Sequence, residues 1–200
     1  TNYGLSESIG PGCVHLGVEN TEKIGAIGVP GFGWKIRIVD ENRKDVPQGE
    51  VGELAVYGPG VMVCYYKNPD ATKEVLDEEG WLYTGDMAMQ DKEGFIYLVD
   101  RKKDVIITGG ENIYPAQIEN VLVSHPAVKE AGVCGIEDKI WGQVPIAFVV
   151  LKQQMTEEQL MDFCKERLAS YKLPKQIHFV NELPRSGSNK LLRRKLKELL

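Results

Sequence analysis

No run of apolar residues in this 200-residue chain is long enough to cross a bilayer. The longest, VPIAFVVL at 144–151, falls far short of the roughly 20 residues required and carries Pro145. No stretch has the layout of a signal peptide, so neither a membrane span nor a secretory leader is expected. Cysteine is sparse. Cys13, Cys64, Cys134 and Cys164 lie far apart and mostly among apolar residues, which excludes a zinc ligand pair or a disulfide frame and leaves reduced, partly buried thiols suited to the cytoplasm. The three histidines, His15, His125 and His178, sit in unrelated segments without metal-ligand spacing. An excess of positive charge is also missing. A net charge of -5 argues against a general nucleic-acid surface, which needs clustered cations to displace counterions.

What remains is ordinary globular composition, 42% hydrophobic and 26% charged, enough for one large domain or two small ones. The charge is unevenly spread. Residues 70–100 hold nine acids against Lys73 and Lys92, whereas 185–200 hold Arg185, Lys190, Arg193, Arg194, Lys195 and Lys197 against Glu198. From charge alone that tail reads as a solvated helix face. The chain starts without methionine, inside what reads as a motif, so a piece of a longer protein is expected.

The first half reads as β. KIRIVD (35–40) and GELAVYG (52–58) alternate apolar residues around a turn-rich DENRKDVPQGE, and FIYLVD (95–100) gives another strand. One helix interrupts, opened by Asn68-Pro69, propagated by ATKEVLDEE and ended at Gly80. Four consecutive charges, Arg101 to Asp104, then mark a boundary between two apolar strands. Beyond them strands and helices alternate: VIIT as a strand, GGEN as a loop, PAQIENVLVSH (115–125) as a helix with Ile118, Val121 and Leu122 on one face, then AVKEAGVCGI and VPIAFVVL as strands. Thr156 with Gln159 forms a capping box for EEQLMDFCKERLAS. A strand QIHFV (176–180) and a helix LLRRKLKELL close the chain. The expected class is α+β, with domains at 1–102 and 103–200, the second large enough for its own core.

Five stretches could carry chemistry, and each has a plain structural reading. NYGLSE (2–7) suits a surface turn. GELAVYGPGVMVCYY (52–66) suits a β-hairpin turned by its glycines. WLYTGD (81–86) suits turn chemistry, DRKKDVIITGGENIYPAQIE (100–119) a solvated linker with a strand-breaking Gly-Gly, and the serine- and glycine-rich PRSGSNK (184–190) a shapeless loop with one lysine among many.

Taken together and in order, Tyr3-Gly-x-Ser-Glu7, Gly52-Glu-Leu, Tyr83-Thr-Gly-Asp86, Asp100-Arg-x-x-Asp104 and Leu183-Pro-Arg-Ser-Gly-Ser-Asn-Lys190 resemble the carboxyl-terminal half of the adenylate-forming, AMP-binding superfamily. IITGGENIYPAQIE and DKIWGQVPIAFVV look like its CoA ligases rather than its peptide synthetase domains, and with YKLPKQIHFVNELPRSGSNKLLRRKL look most like the o-succinylbenzoate-CoA ligases of menaquinone synthesis. The resemblance implies the end of a large β-rich, distorted-barrel AMP-binding domain, then a mobile α+β domain whose sheet is flanked by helices. It implies a two-step reaction: a carboxylate attacks the α-phosphorus of ATP, and coenzyme A then displaces AMP.

Roles follow from the same resemblance. Tyr3 would stack on adenine beside Gly4, Ser6 would contact the α-phosphate, and Glu7 would hold magnesium. Asp86 would accept the ribose hydroxyls and Arg101 would add a ribose or phosphate contact. Lys103 would be the hinge, Gly109 and Gly110 would let a pantetheine arm pass the backbone, and Lys190 would be the mobile cation that offsets repulsion between carboxylate and phosphate, about 1 kcal/mol per charge pair at ~4 Å in water and several-fold more in a drier site. Three positions depart from the family: Ser6 for threonine, Asn189 for glycine, and Cys64 for glycine. Asn189 tolerates a left-handed backbone, so the lysine loop is expected to survive. The family's pyrophosphate loop and nearly all of its acid pocket are not found in the chain, so complete adenylation is not expected of these residues alone. A fatty-acyl or other aryl-CoA ligase, a peptide synthetase domain, a non-catalytic AMP-binding module and a basic tail for nucleic acid or anionic lipid are the rival readings.

Overall fold

A computed structural model describes residues 2–17 and 20–200. They form two compact units that divide between Lys102 and Lys103.

The first unit holds β1 (Asn2–Gly4), β2 (Pro11–Val14), β3 (Ala26–Pro30), β4 (Lys35–Val39), β5 (Gly52–Tyr57), α1 (Pro69–Val75), β6 (Leu82–Gln90) and β7 (Ile96–Arg101). The strands make one antiparallel sheet in the order β1-β2-β3-β7-β6-β5-β4. In its pairing the expected barrel is an open sheet, since among the described residues no pair joins β1 to β4. It is nonetheless strongly curled: Tyr3 and Leu5 from one edge, and Ile36 and Ile38 from the other, pack on a shared cluster with Leu54, Val56, Leu82 and Ile96.

Two expectations for this unit need correcting. The segment after β5 is not the second arm of a hairpin, because no strand runs between Tyr57 and Leu82. Trp34 explains why: a β-carbon on Gly58 would lie 2.5 Å from its indole, so the glycine-proline run lies against that ring instead of pairing. Helix α1, capped by Asn68 with Pro69 in its first turn, ends at Val75 and not at Gly80. The carboxylate of Asp77 accepts the N–H groups of Glu79 and Trp81 at 3.0 and 2.9 Å, folding DEEG into a tight turn that feeds β6.

The second unit comprises β8 (Ile106–Thr108), β9 (Glu111–Ile113), α2 (Pro115–Ser124), β10 (Val128–Asp138), β11 (Gly142–Leu151), α3 (Glu157–Lys165) and β12 (Gln176–Phe179). The order β10-β11-β8-β9 is antiparallel, and β12 adds to β11 in parallel. The apolar run in β11 is buried on both faces. Ala147 and Val149 pack with Ile118 and Leu122 of α2 and Leu160 and Cys164 of α3, while Ile146, Phe148 and Val150 pack with Cys134, Leu183 and Leu196. Thr156 and Gln159 form the capping box of α3.

GGEN is shorter as a loop than its glycines suggest: Gly109 and Gly110 alone turn the chain, and Glu111 and Asn112 already pair in β9. The carboxyl-terminal segment is a 3-10 helix, Arg193–Leu199, rather than an α-helix. Arg185 pairs with Leu191 in a β-bridge that blocks an earlier start, Arg193 and Lys197 place like charges four apart, and fully buried Leu196 anchors the turn.

Burial pushes the thiol of Cys13 up to about 12 and that of Cys164 up to about 11, and raises Cys134 as well, while Cys64 is exposed. One thiol is therefore expected to react rapidly with a disulfide reagent in the folded chain and the others only on unfolding; quantified release of the reagent's chromophore checks this. Replacing fully buried Phe148 with alanine should cost about 3–5 kcal/mol in denaturant unfolding.

Candidate functional site

In the first unit the chemistry converges on one defect in the sheet. Thr84, Gly85 and Asp86 of β6 lie opposite the single residue Leu54 of β5, because Tyr83 faces Ala55 and Met87 faces Glu53. This bulge is built by its own residues. Gly85 takes φ +70°, a torsion that a side chain would strain. The hydroxyl of Thr84 donates to the Leu54 carbonyl at 2.7 Å and accepts the Asp86 N–H at 3.1 Å. The strand thereby turns a carboxylate out of the ladder at a fixed place.

Asp86, at 5% exposure, is among the most buried acids of the chain. One of its oxygens pairs with Arg101 Nε at 2.7 Å, across the register that sets Asp86 opposite Arg101. The other accepts the phenol of Tyr3 at 2.5 Å. Burial first, and then the hydrogen bond to Asp86, holds the Tyr3 phenol well above the usual tyrosine range. A carboxylate has about four lone-pair sites, so one bond on each oxygen leaves capacity for two further donors.

Ser6 and Glu7 follow on a 3-10 turn, Ser6–Ser8, directly after β1. Ser6 is exposed. Glu7 is half-buried, accepts the Tyr65 phenol at 2.9 Å through one oxygen, and fixes the 58–66 segment by accepting the Met62 N–H at 2.7 Å on its carbonyl. Gly4 lies exposed at the β1–β2 register shift. The structure thus groups Tyr3, Asp86 and Arg101 in one hydrogen-bonded set, with Gly4, Ser6 and Glu7 on the adjoining strand and turn.

The other expected residues belong to the second unit. Lys103 is exposed on a 3-10 turn, Lys102–Asp104. Gly109 and Gly110 take φ +57° and +89° at the β8–β9 turn. Trp141 lies over Gly109, its carbonyl accepting the Gly109 N–H at 2.8 Å, and its loop is held by Asp138. Lys175 at 2.5 Å and the Ile140 and Trp141 N–H groups depress the Asp138 carboxyl to about 2. Beside this turn is a groove of about 550 Å³ lined by Thr108, Trp141, Pro145, Tyr171 and Lys175.

Lys190 is exposed, and its loop is more ordered than a serine-glycine composition suggests. Ser186 N–H donates to the Lys190 carbonyl at 2.8 Å, Lys190 N–H to the Ser186 hydroxyl at 3.1 Å, and Arg185 spans the loop to the Asn189 carbonyl at 2.8 Å while pairing with Glu130 at 2.7 Å. Asn189 adopts φ +63°, the left-handed torsion its position requires. The backbone is set, and the ammonium group projects from it.

Two family models match the chain: AMP-binding enzyme over residues 1–66 and AMP-binding enzyme C-terminal domain over 117–190. A 2-succinylbenzoate–CoA ligase of Bacillus cytotoxicus is 50% identical over 99% of this chain. The chain belongs to the AMP-binding, adenylate-forming superfamily. It spans 41% of that relative's length. Among solved structures, o-succinylbenzoate CoA synthetase of Bacillus subtilis in complex with its acyl-adenylate intermediate matches at TM-score 0.91 and 46% identity over 98% of this chain and 40% of its own. MatB from Rhodopseudomonas palustris with bound ATP matches at TM-score 0.82 and 34% identity, over 88% of this chain and 35% of its own.

Two residues beside this hydrogen-bonded set, Glu53 and Lys102, were assigned no role from sequence. Glu53, 8% exposed, accepts the Gly85 N–H at 2.9 Å and pairs with Lys102 at 2.7 Å. A signal was available: Glu53 is an acid in an otherwise apolar strand, and a buried acid needs partners. Among the described residues no group of acids, histidines and cysteines forms a ready metal cluster, and no helix is long and apolar enough to cross a membrane.

Because the folded Tyr3 phenol is raised above its unfolded value, its contribution to stability is complete below pH ~10 and declines as pH rises further. Tyr3→Phe should cost about 1.5 kcal/mol at neutral pH, the scale of a hydrogen bond to a charged acceptor, and should flatten the fall in melting temperature between pH 9 and 11. Thermal scans across that range check both.

Proposed function

We propose that the chain is part of an ATP-dependent acid–CoA ligase that makes an acyl-adenylate and passes the acyl group to coenzyme A. The observation that carries the reading is the buried Asp86 carboxylate, held by Tyr3 and Arg101 and retaining acceptor capacity. Two neighbouring hydroxyls of a ribose are the donors such a group suits. Tyr3 offers a ring to the adenine and Ser6 an exposed hydroxyl to the α-phosphate. Residues 1–102 are then the end of the AMP-binding domain and residues 103–200 the mobile carboxyl-terminal domain.

Magnesium fits Glu7, whose second oxygen is a hard donor on a half-buried turn, consistent with an ion that keeps most of its waters. When bound, the ion would neutralise phosphate charge. Lys190 supplies the positive charge at the carboxylate and the phosphate, and its exposure on a set loop suits delivery by a moving domain. Lys103 is the pivot. Gly109 and Gly110 are the backbone along which the pantetheine arm passes, and Trp141 and Lys175 beside them offer an aromatic face and a cation.

For the acid we propose o-succinylbenzoate, in menaquinone synthesis in the cytoplasm, supported by 50% identity to 2-succinylbenzoate–CoA ligases and by a Bacillus subtilis relative solved with ATP and magnesium. The test is acid-dependent exchange of pyrophosphate into ATP by the full-length protein, across aryl and fatty acids; no exchange with any acid defeats the reading. Lys190→Ala should lower exchange by ~10²- to 10³-fold. It should spare thioester formation from supplied acyl-adenylate, measured in single turnovers.

A further inference from the structure

Two neighbouring ion pairs close the first unit. Arg101 pairs with Asp86 at 2.7 Å, and the next residue, Lys102, pairs with Glu53 at 2.7 Å. Both acids belong to the same defect, since Glu53 lies beside Leu54, the residue opposite the bulge. The two oxygens of Glu53 have separate tasks: Oε1 accepts the Gly85 N–H at 2.9 Å, at the left-handed apex of the bulge, and Oε2 takes Lys102. Among the described residues Glu53 makes no hydrogen bond to Tyr3 or Asp86, so it acts through the backbone.

The geometry points to Glu53 as a positioning residue for the nucleotide: one carboxylate holds both the Gly85 peptide that aims Asp86 and the last side chain before the pivot. This rests on the proposed AMP site. Without an acceptor at Gly85 the bulge can relax toward a regular ladder, which would swing Asp86 away from its partners. Small displacements of this kind are enough to cost binding geometry. Lys102 holds the acid stationary, so that turning at Lys103 does not propagate back into β6.

The test uses the full-length protein and reads AMP affinity by titration calorimetry alongside pyrophosphate exchange. Glu53→Ala should weaken AMP about tenfold and raise the ATP KM by a similar factor, with kcat for exchange within about threefold of wild type, as expected when one charge-assisted backbone hydrogen bond is lost. Glu53→Gln keeps an acceptor for Gly85 and should return AMP affinity to within about threefold. Should the alanine protein not fold, Glu53→Asp, whose shorter arm cannot serve both partners, should weaken AMP several-fold. A role limited to stability would lower the melting temperature and active fraction in all variants without moving the KM. Unchanged AMP affinity in the alanine or aspartate variant, or a glutamine variant as weak as alanine, overturns the proposal. Wild-type protein that binds AMP but supports no exchange defeats the ligase reading instead and leaves the affinity comparison decisive for Glu53.

Discussion

The candidate site depends on a carboxylate buried in a sheet and gripped on both oxygens. Asp86 is nearly inaccessible, and an isolated ion there would be costly. Arg101 and the Tyr3 phenol remove that cost, and they come from different strands, β7 and β1, that stand at different places in the sheet order. The curl that brings β1 over the middle of the sheet is therefore also what completes the site. Packing of Tyr3 and Leu5 on the Leu54–Leu82 cluster and ligation of Asp86 are two results of one bend.

The bulge at residues 84–86 shows how the sheet takes up an irregularity without loosening. A regular β6 would point Asp86 according to the alternation of the strand and leave its N–H in the ladder. Here the freed groups are taken up by the Thr84 hydroxyl, the Leu54 carbonyl and the Glu53 carboxylate, so the irregularity carries few unpaired polar atoms. The second unit repeats the strategy at residues 184–192. A loop of small residues is pinned through its backbone by Ser186, Arg185 and the 185–191 bridge, which leaves a long cationic side chain exposed on a defined base.

Much of the fold was legible because burial leaves a simple trace. The unbroken apolar run of β11 marked a strand covered on both faces, the Thr156–Gln159 pair marked the start of α3, and the charged run at 101–104 marked where one unit stops. Misreadings fell where a specific side-chain contact, near or far along the sequence, overrode helix or strand propensity. Asp77 captured the residues that would have continued α1, Trp34 displaced the second arm of a hairpin, and Leu196 with the Arg185–Leu191 bridge constrained the last helix to a tighter winding.

The site divides in the same way. The resemblance carried by five ordered motifs pointed to nucleotide chemistry and, through it, to Tyr3, Ser6, Glu7, Asp86, Arg101 and Lys190, whose residue types suit contacts to phosphate, ribose and a reacting carboxylate. That Tyr3 and Arg101 grip opposite oxygens of Asp86, and that Glu53 holds the peptide behind it, was decided only by the folded chain. Contacts spanning 83 and 32 residues follow from sheet curl and strand register, and no local pattern encodes those.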